Sequence, residues 1–213
     1  MPQHDTVLLA LHYQNDVLHA DGKIRVGVAA DSLRRAGVIR NAKALLTGAR
    51  NHGVPVVFVR IAFRPDYSDV IQNCDIFRNV VKLGAMQEGS WGAEFYEGLG
   101  PLPEERVVTH NRISAFYCTD YREGVGSVLD YLEPRRLIIA GIATNYVVEH
   151  TARDAVDIGY HVTVVGDACS AGDAALHEAS LKNLSLLADV KSTAEVVRQL
   201  GRRGTASRAR RRR

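Results

Sequence analysis

The sequence has few cysteines and no long apolar run, and each absence argues against a class of protein. Its 213 residues include three cysteines, Cys74, Cys118 and Cys169, which are widely spaced and form no CxxC pair. This pattern is typical of a reduced cytoplasmic protein rather than of a disulfide framework or a zinc site. No segment approaches the ~18 consecutive apolar residues of a membrane-spanning helix. The opening MPQHDTVLLA lacks the basic region and apolar core of a secretory signal, so we expect no membrane partner.

Positive charge is concentrated at the end of the chain. The formal net charge is +3, but residues 201–213 contain seven arginines and no acid, which leaves a net charge of −4 for residues 1–200. Without apolar residues to pack, this tail is predicted to be disordered, following one domain over residues 1–200. Its arginines could contact nucleic acid or an acidic partner, although we favour a solvated extension that binds neither.

Short apolar runs alternate with helical patterns along the domain. Such alternation predicts an α/β fold, a three-layer α/β/α (Rossmann-like) sandwich with a mainly parallel sheet of about six strands. Ligands bind such sheets at the carboxyl ends of the strands. The last helix is predicted at 193–200. The predicted strands are 6–11, 55–61, 106–109, 137–140, 161–165 and 190–192.

The segment 63–91 is long and irregular, with a short helix predicted near 70–78. Segments of this length in a compact domain are commonly functional, so we expect this one to cover a site.

The stretch 137–155, LIIAGIATNYVVEHTARDA, predicts a buried strand that leads directly into a helix. Gly141 ends the strand, Thr144 or Asn145 is placed to cap the helix, and Gly159 ends it. The free backbone N–H groups at such a helix start suit an anion or a developing oxyanion. Most strand–turn–helix units carry no chemistry, so this pattern alone identifies no activity.

Four blocks of sequence together resemble the isochorismatase-like hydrolase superfamily, which includes nicotinamidases, N-carbamoylsarcosine amidase and isochorismatase. They are LLALHYQNDVL, EGSWGAEFYEGLGPLP, VVTHNRISAFYCTDY and GIATNYVVEHTARDAVDIGYHVTVVGDAC, in the order the family has them. The resemblance extends over roughly residues 5–197. It implies a hydrolase of small molecules, and a homo-oligomer because relatives are often oligomeric.

The family's catalytic Asp, Lys and Cys are not matched. The resemblance places His12, His110 and Val147 at these three positions. A valine side chain cannot act as a nucleophile, which excludes the family's thioester chemistry at this position. The two imidazoles are candidate acid/base groups, with repulsion keeping at least one neutral, or they are merely polar residues at strand ends. Isochorismatase cleaves a vinyl ether with its Asp as acid, and a protonated His12 could do comparable work.

Further candidate ligand-binding residues surround these positions. Arg60 ends the second strand and would bind a carboxylate or form a structural ion pair. Phe116 and Tyr146 would line the pocket or pack beneath the long segment, and Ala143 lies in the turn before Val147. Metal-binding relatives have Asp and His where Arg60 stands, and the other histidines show no ligand spacing. We therefore expect neither a metal nor another cofactor.

Two functions remain open at this point. One is a hydrolase in which His12 and His110 act as an acid/base pair without a covalent cysteine intermediate. The other is a catalytically inactive family member that binds a small ligand or serves as an assembly subunit. Turnover that depends on the two histidines separates them.

Overall fold

The computed structural model describes residues 5–24, 32–119 and 124–210. Its centre is a six-stranded parallel sheet with the strand order β3-β2-β1-β4-β5-β6 and helices around it. The predicted α/β fold with about six strands is confirmed. The strands are β1 Thr6–Leu11, β2 Val56–Ile61, β3 Arg106–His110, β4 Arg136–Gly141, β5 His161–Val165 and β6 Asp189–Lys191.

Seven α-helices connect and flank the strands in the described ranges. They are α1 Asn15–Leu18, α2 Ser32–Asn51, α3 Asp75–Leu83, α4 Val125–Leu132, α5 Glu149–Ile158, α6 Ala174–Leu184 and α7 Thr193–Arg210. A π-helical turn, Thr144–Val148, precedes α5 directly. None of these helices has both the length and the apolar content that crossing a membrane requires.

The sheet is deepest at β1 and β4, whose residues after the first are buried. These two strands pair over their whole length, with Leu11 opposite Gly141 at the carboxyl end. A Cβ at Gly141 would lie 2.2 Å from the Leu11 carbonyl oxygen, so only glycine permits this approach. The contact fixes the relative positions of the two chain segments that leave the sheet here.

The helix predicted near 70–78 lies instead at α3, Asp75–Leu83. Phe77 and Val80 are buried, and Gly84 ends the helix in the left-handed conformation with φ 59°. An acid in the first turn and a lysine in the last also suit the helix dipole.

The last helix runs past its predicted end at Leu200, as far as Arg210. Val196 and Leu200 are its buried residues in the core, so the prediction followed the apolar pattern. Helix propensity does not account for the extension, because glycine, a weak helix former, stands at Gly201 and Gly204. The helix thus includes residues 201–210 of the predicted tail, residues 211–213 lie outside the described ranges, and the disorder of the tail stays a prediction. The division at residue 200 and the tail's partners stay predictions.

Candidate active site

Three chain segments converge at the carboxyl edge of the sheet. His12 follows β1 in the left-handed conformation, with φ 53° and its N–H donated to the Val59 carbonyl at 2.8 Å. His110 is the last residue of β3. Val147 lies in the π-helical turn after β4. All three side chains are buried. The edge predicted from the strand order is thus where these residues meet.

The imidazoles of His12 and His110 are in direct contact. Their Nε2 atoms are 2.5 Å apart, which requires one hydrogen between them. Nδ1 of His110 is 3.1 Å from the carbonyl oxygen of Ser114, and a carbonyl only accepts. Nδ1 of His110 therefore carries hydrogen, and Nε2 of neutral His110 has the lone pair. In the neutral pair, His12 donates from Nε2, which leaves Nδ1 of His12 as the proton acceptor.

Burial, and then the neighbouring His110, lower the pKa of His12 well below its ordinary value. Both effects disfavour the protonated form of His12. The residue is only 6% exposed, and a positive charge on its ring would be repelled by a positive charge on His110. His12 is thus a neutral imidazole at neutral pH. The neutral ring has a free lone pair that can accept a proton, and this state argues against the protonated acid considered from the sequence.

A small pocket of about 60 Å³ lies against His12. Its walls are mainly apolar and come from five parts of the chain. The segment 63–91 contributes α3 and Met86, as expected for a cover over the site. The lining residues are His12, Val17, Ile24, Ile61, Ile76, Phe77, Val80, Met86, Arg112, Ile113, Ile142, Ala143, Tyr146 and Val147.

The protein-family model for the isochorismatase domain matches residues 6–196 of the sequence. The chain belongs to the isochorismatase family. A relative in this family, the uncharacterized isochorismatase family protein YecD of Escherichia coli, is 28% identical over 76% of this chain and 83% of its own length. The ureidoacrylate amidohydrolase RutB of Acinetobacter baylyi is 26% identical over 84% of this chain and 76% of its own.

A solved structure shares the isochorismatase-family fold. The cysteine hydrolase from Pseudomonas syringae pv. phaseolicola superposes with a TM-score of 0.81 at 24% identity, over 94% of both chains. The resemblance found in the sequence is therefore confirmed in family and in fold.

The structure separates the residues predicted to bind ligand into two groups. Ala143, Tyr146 and Val147 line the pocket together with His12. Arg60 does not line it, because its Nε donates to the Thr109 hydroxyl at 2.8 Å. Phe116 packs against the hydrophobic core and is not part of the pocket wall. A ligand role for Arg60 or Phe116 thus has no support from this pocket.

Arg112 is a pocket residue that sequence reasoning missed. It follows β3 by two residues, and its guanidinium lies 4.3 Å from the centroid of the Phe77 ring. The signal available in the sequence was its position in HNRIS. Arg112 lies two residues after His110, a candidate residue at the end of a predicted strand.

The cysteines lie away from this family's expected nucleophile position. Cys169 is buried, its Sγ accepts from the Gly141 N–H at 3.4 Å, and burial raises its pKa to about 12. Cys118 is next to the Thr109 carbonyl, and Cys74 immediately precedes α3. All three are described, and none lines the pocket. That the three cysteines pack rather than react stays a prediction.

Asp16, the carboxylate nearest to His12 in sequence, is held by the backbone. Its two oxygens accept from the N–H groups of Lys23 at 3.1 Å and Met86 at 2.8 Å. This side chain fixes the turn, as expected from its place in the sequence. Across the described ranges, no three His, Cys, Asp or Glu side chains converge to hold a metal ion.

Another histidine, His177 on α6, lies near the same edge of the sheet. Its Nδ1 is 2.8 Å from the Thr144 hydroxyl, and it lines a separate cleft of about 290 Å³. Burial, and then Arg34, lower its pKa, while Glu178 opposes the shift.

Proposed function

We propose that this isochorismatase-family protein is a hydrolase that activates water with the His12–His110 pair instead of forming a cysteine thioester. The observation that carries the proposal is the 2.5 Å contact between two Nε2 atoms beside a small pocket. An imidazole that is neutral at physiological pH has a nitrogen lone pair free to accept a proton.

The hydrogen bonds suggest a path for the proton. Nδ1 of His12 takes a proton from water as the water oxygen attacks the carbonyl carbon of the substrate. The Nε2 proton of His12 moves to Nε2 of His110, and the Ser114 carbonyl holds the resulting imidazolium through Nδ1–H. When the tetrahedral intermediate collapses, the proton returns through the pair to the leaving nitrogen or oxygen. Water supplies the new C–O bond and the added hydrogen, and one C–N or C–O bond breaks.

Val147 fits this mechanism because no covalent enzyme intermediate forms. The methyl groups close one side of the pocket, where the resemblance places the family's cysteine. An amide-type bond is the first substrate class to test, because the relative from Acinetobacter baylyi is described as an amidohydrolase.

The test is a mass-spectrometric hydrolysis screen of small amides, carbamoyl compounds, esters and isochorismate. Wild type, His12→Gln and His110→Gln are compared, with His177→Gln as the matched histidine control. Turnover should fall by about 10²-fold or more in the first two variants, the usual value of general base catalysis. Turnover should be unchanged in the control, and all four proteins should melt cooperatively. Equal turnover by wild type and the pair variants would overturn the proposal.

A second experiment separates direct water attack from a covalent route. A single turnover with enzyme in excess is stopped with acid, and the mass of the protein is measured. Only a covalent route leaves an acyl-enzyme mass after acid quenching. We expect no such mass, and its detection on any side chain would contradict direct attack.

A ligand-binding protein without catalysis is the alternative, and the apolar, narrow pocket closed by Val147 favours it. This function predicts a compound from the same screen that raises the melting temperature but yields no product. Val147→Ala should enlarge the pocket and change which compounds stabilise the protein.

The proposal also covers the oligomeric state, the partners of the arginine-rich tail and the cellular location. The family resemblance favours a homo-oligomer, which light scattering coupled to gel filtration measures directly. Deleting residues 201–213 tests the weaker suggestion that the arginines bind nucleic acid or an acidic partner. A cytoplasmic location stays a prediction from the cysteine pattern.

A further inference from the structure

Among the described residues that line the pocket, Arg112 is the cationic one, and neutral groups hold its side chain in place. Nη1 donates to the Ile71 carbonyl at 3.4 Å, and Nη2 donates to the Asn73 side-chain oxygen at 3.2 Å. Both distances lie at or beyond the long end of the usual range for such bonds. The guanidinium also covers one face of Phe77.

Within the described ranges, no carboxylate lies at ion-pair distance from Arg112, although other arginines have such partners. Arg50, for example, makes a two-pronged pair with Glu105 at 2.9 and 2.7 Å. Arg136 pairs with Asp5, and Arg153 pairs with Glu149. Arg112 is partly buried, so it gives up part of its hydration without the compensation that these pairs provide.

The guanidinium has five N–H donors, and the contacts above use two of them. A planar guanidinium beside apolar surface is well suited to bind a carboxylate through two parallel hydrogen bonds. The rest of the pocket wall is mainly apolar and presents neutral His12. Its volume of about 60 Å³ lies below the ~300–1,000 Å³ usual for ligand pockets, which favours a small ligand.

We propose that the pocket selects small molecules with one carboxylate, which Arg112 binds while the hydrolysable bond faces His12. This inference rests on the proposed function for its second half, because His12 must be the reacting group. Its first half, recognition of a carboxylate, holds for an enzyme and for a binding protein alike. The two halves can therefore be tested separately.

Binding is measured first, with no turnover required. Butyrate, butyramide and n-butylammonium have similar size and differ in charge, and ligand-detected NMR gives the affinity of wild type for each. Butyrate should bind about tenfold or more tightly than butyramide, the value of one charge-assisted hydrogen bond. n-Butylammonium should be the weakest ligand. Butyrate binding no tighter than butyramide would overturn the carboxylate proposal without any variant.

Variants of Arg112 test whether this residue causes the preference for butyrate over butyramide. Arg112→Gln should remove the preference for butyrate and leave butyramide affinity within about twofold, because only the charge-assisted bonds are lost. Arg112→Lys should keep part of the preference, since it retains the charge but not the planar fork. Arg78→Gln is the control, because Arg78 pairs with Asp75 on the surface of α3. A preference that persists in folded Arg112→Gln would assign it elsewhere and contradict the proposal.

Kinetics then distinguish the two proposals. For a substrate with a carboxylate found in the screen, Arg112→Gln should raise KM with little change in kcat. His12→Gln should lower kcat and keep the butyrate preference in the NMR experiment. If His12→Gln retains full turnover, the proposed mechanism fails while the carboxylate site stands. If butyrate shows no preference but turnover requires His12, the carboxylate site fails and the mechanism stands.

Discussion

The His12–His110 pair, of which His12 lines the pocket, and His177 in the neighbouring cleft lie near the same edge of the sheet, yet they differ in what holds each imidazole. His12 contacts a second imidazole, which is in turn held by a backbone carbonyl. His177 contacts the Thr144 hydroxyl and lies near charged groups. Burial lowers the pKa of both His12 and His177. A lowered pKa therefore does not distinguish the two sites, whereas the contact with a second imidazole does.

The largest effect should come from removing the imidazoles one at a time. His12→Gln and His110→Gln should each reduce turnover by about 10²- to 10⁴-fold, because each interrupts proton transfer. His177→Gln should change turnover by less than about twofold, because its ring takes no part in that path. Initial rates on a substrate from the screen check this. If loss at His177 matched loss at His12, the distinction between the two sites would be wrong.

The second-largest effect should be a difference in thiol reactivity between the pocket and the cleft. Val147→Cys places a cysteine in the pocket beside His12, whereas Cys169 lines the cleft with a pKa raised to about 12. Iodoacetamide should modify the new thiol about tenfold faster than Cys169 at neutral pH, because the thiolate is the reactive species. Peptide mass spectrometry measures each cysteine separately. Equal modification rates would show that pocket and cleft do not differ in reactivity.

Stability below neutral pH should show a smaller effect with a definite sign. Since the folded state lowers the pKa of His12, the unfolded chain binds the proton first as the pH falls. Stability should be complete above about pH 6.5, the ordinary histidine pKa, and should decrease below it by at most about 1.4 kcal/mol per pH unit for each such histidine.

Urea unfolding at pH 7.0, 6.25 and 5.5 measures this dependence. His12→Gln should flatten the decrease more than His177→Gln, because His12 is the more completely buried. The comparison uses the slope with pH, so a constant loss of stability in either variant does not affect it. An unchanged slope in His12→Gln would show that His12 titrates normally.

The smallest effect should come from the hydroxyl that holds His177. Thr144→Val removes the 2.8 Å contact and should cost about 1 kcal/mol, the typical value of one hydrogen bond. Turnover should be unaffected. Thermal unfolding and initial rates measure the two quantities on one preparation, with Ser185→Ala as a surface hydroxyl control. A large loss of turnover would place Thr144 in the catalytic machinery.

The strands were predictable because their residues are apolar in short runs between turn signals. Thr6–Leu11 and Arg136–Gly141 lie at the centre of the sheet and are buried on both faces, so the pattern in each is nearly continuous. The carboxyl-edge position of His12 and His110 followed from those strands. The identity of the family followed from the sequence blocks, and the matching family model confirms it.

The pocket wall was harder to predict because it depends on contacts distant in sequence. Phe77 and Met86 reach the pocket from an irregular segment whose helix begins several residues later than its pattern suggested. Arg112 carries no local signal of burial, and only the neighbouring Phe77 ring and the pocket give it a role. Past Leu200 the helix α7 continues to Arg210 where neither an apolar pattern nor helix propensity marks it, since Gly201 and Gly204 are weak helix formers.

The carboxylate of Asp16 joins parts of the chain that are far apart in sequence. It accepts from Lys23 and Met86, and a Cβ at Gly92 would lie only 2.2 Å from Oδ2. Because Met86 is part of the pocket wall, the cover is anchored at that end to the turn after β1. Exchange of a ligand should then take place with the wall in position, and not through a hinged opening step. The observed association rate should rise linearly with ligand concentration, whereas a cover that opens first would make it level off.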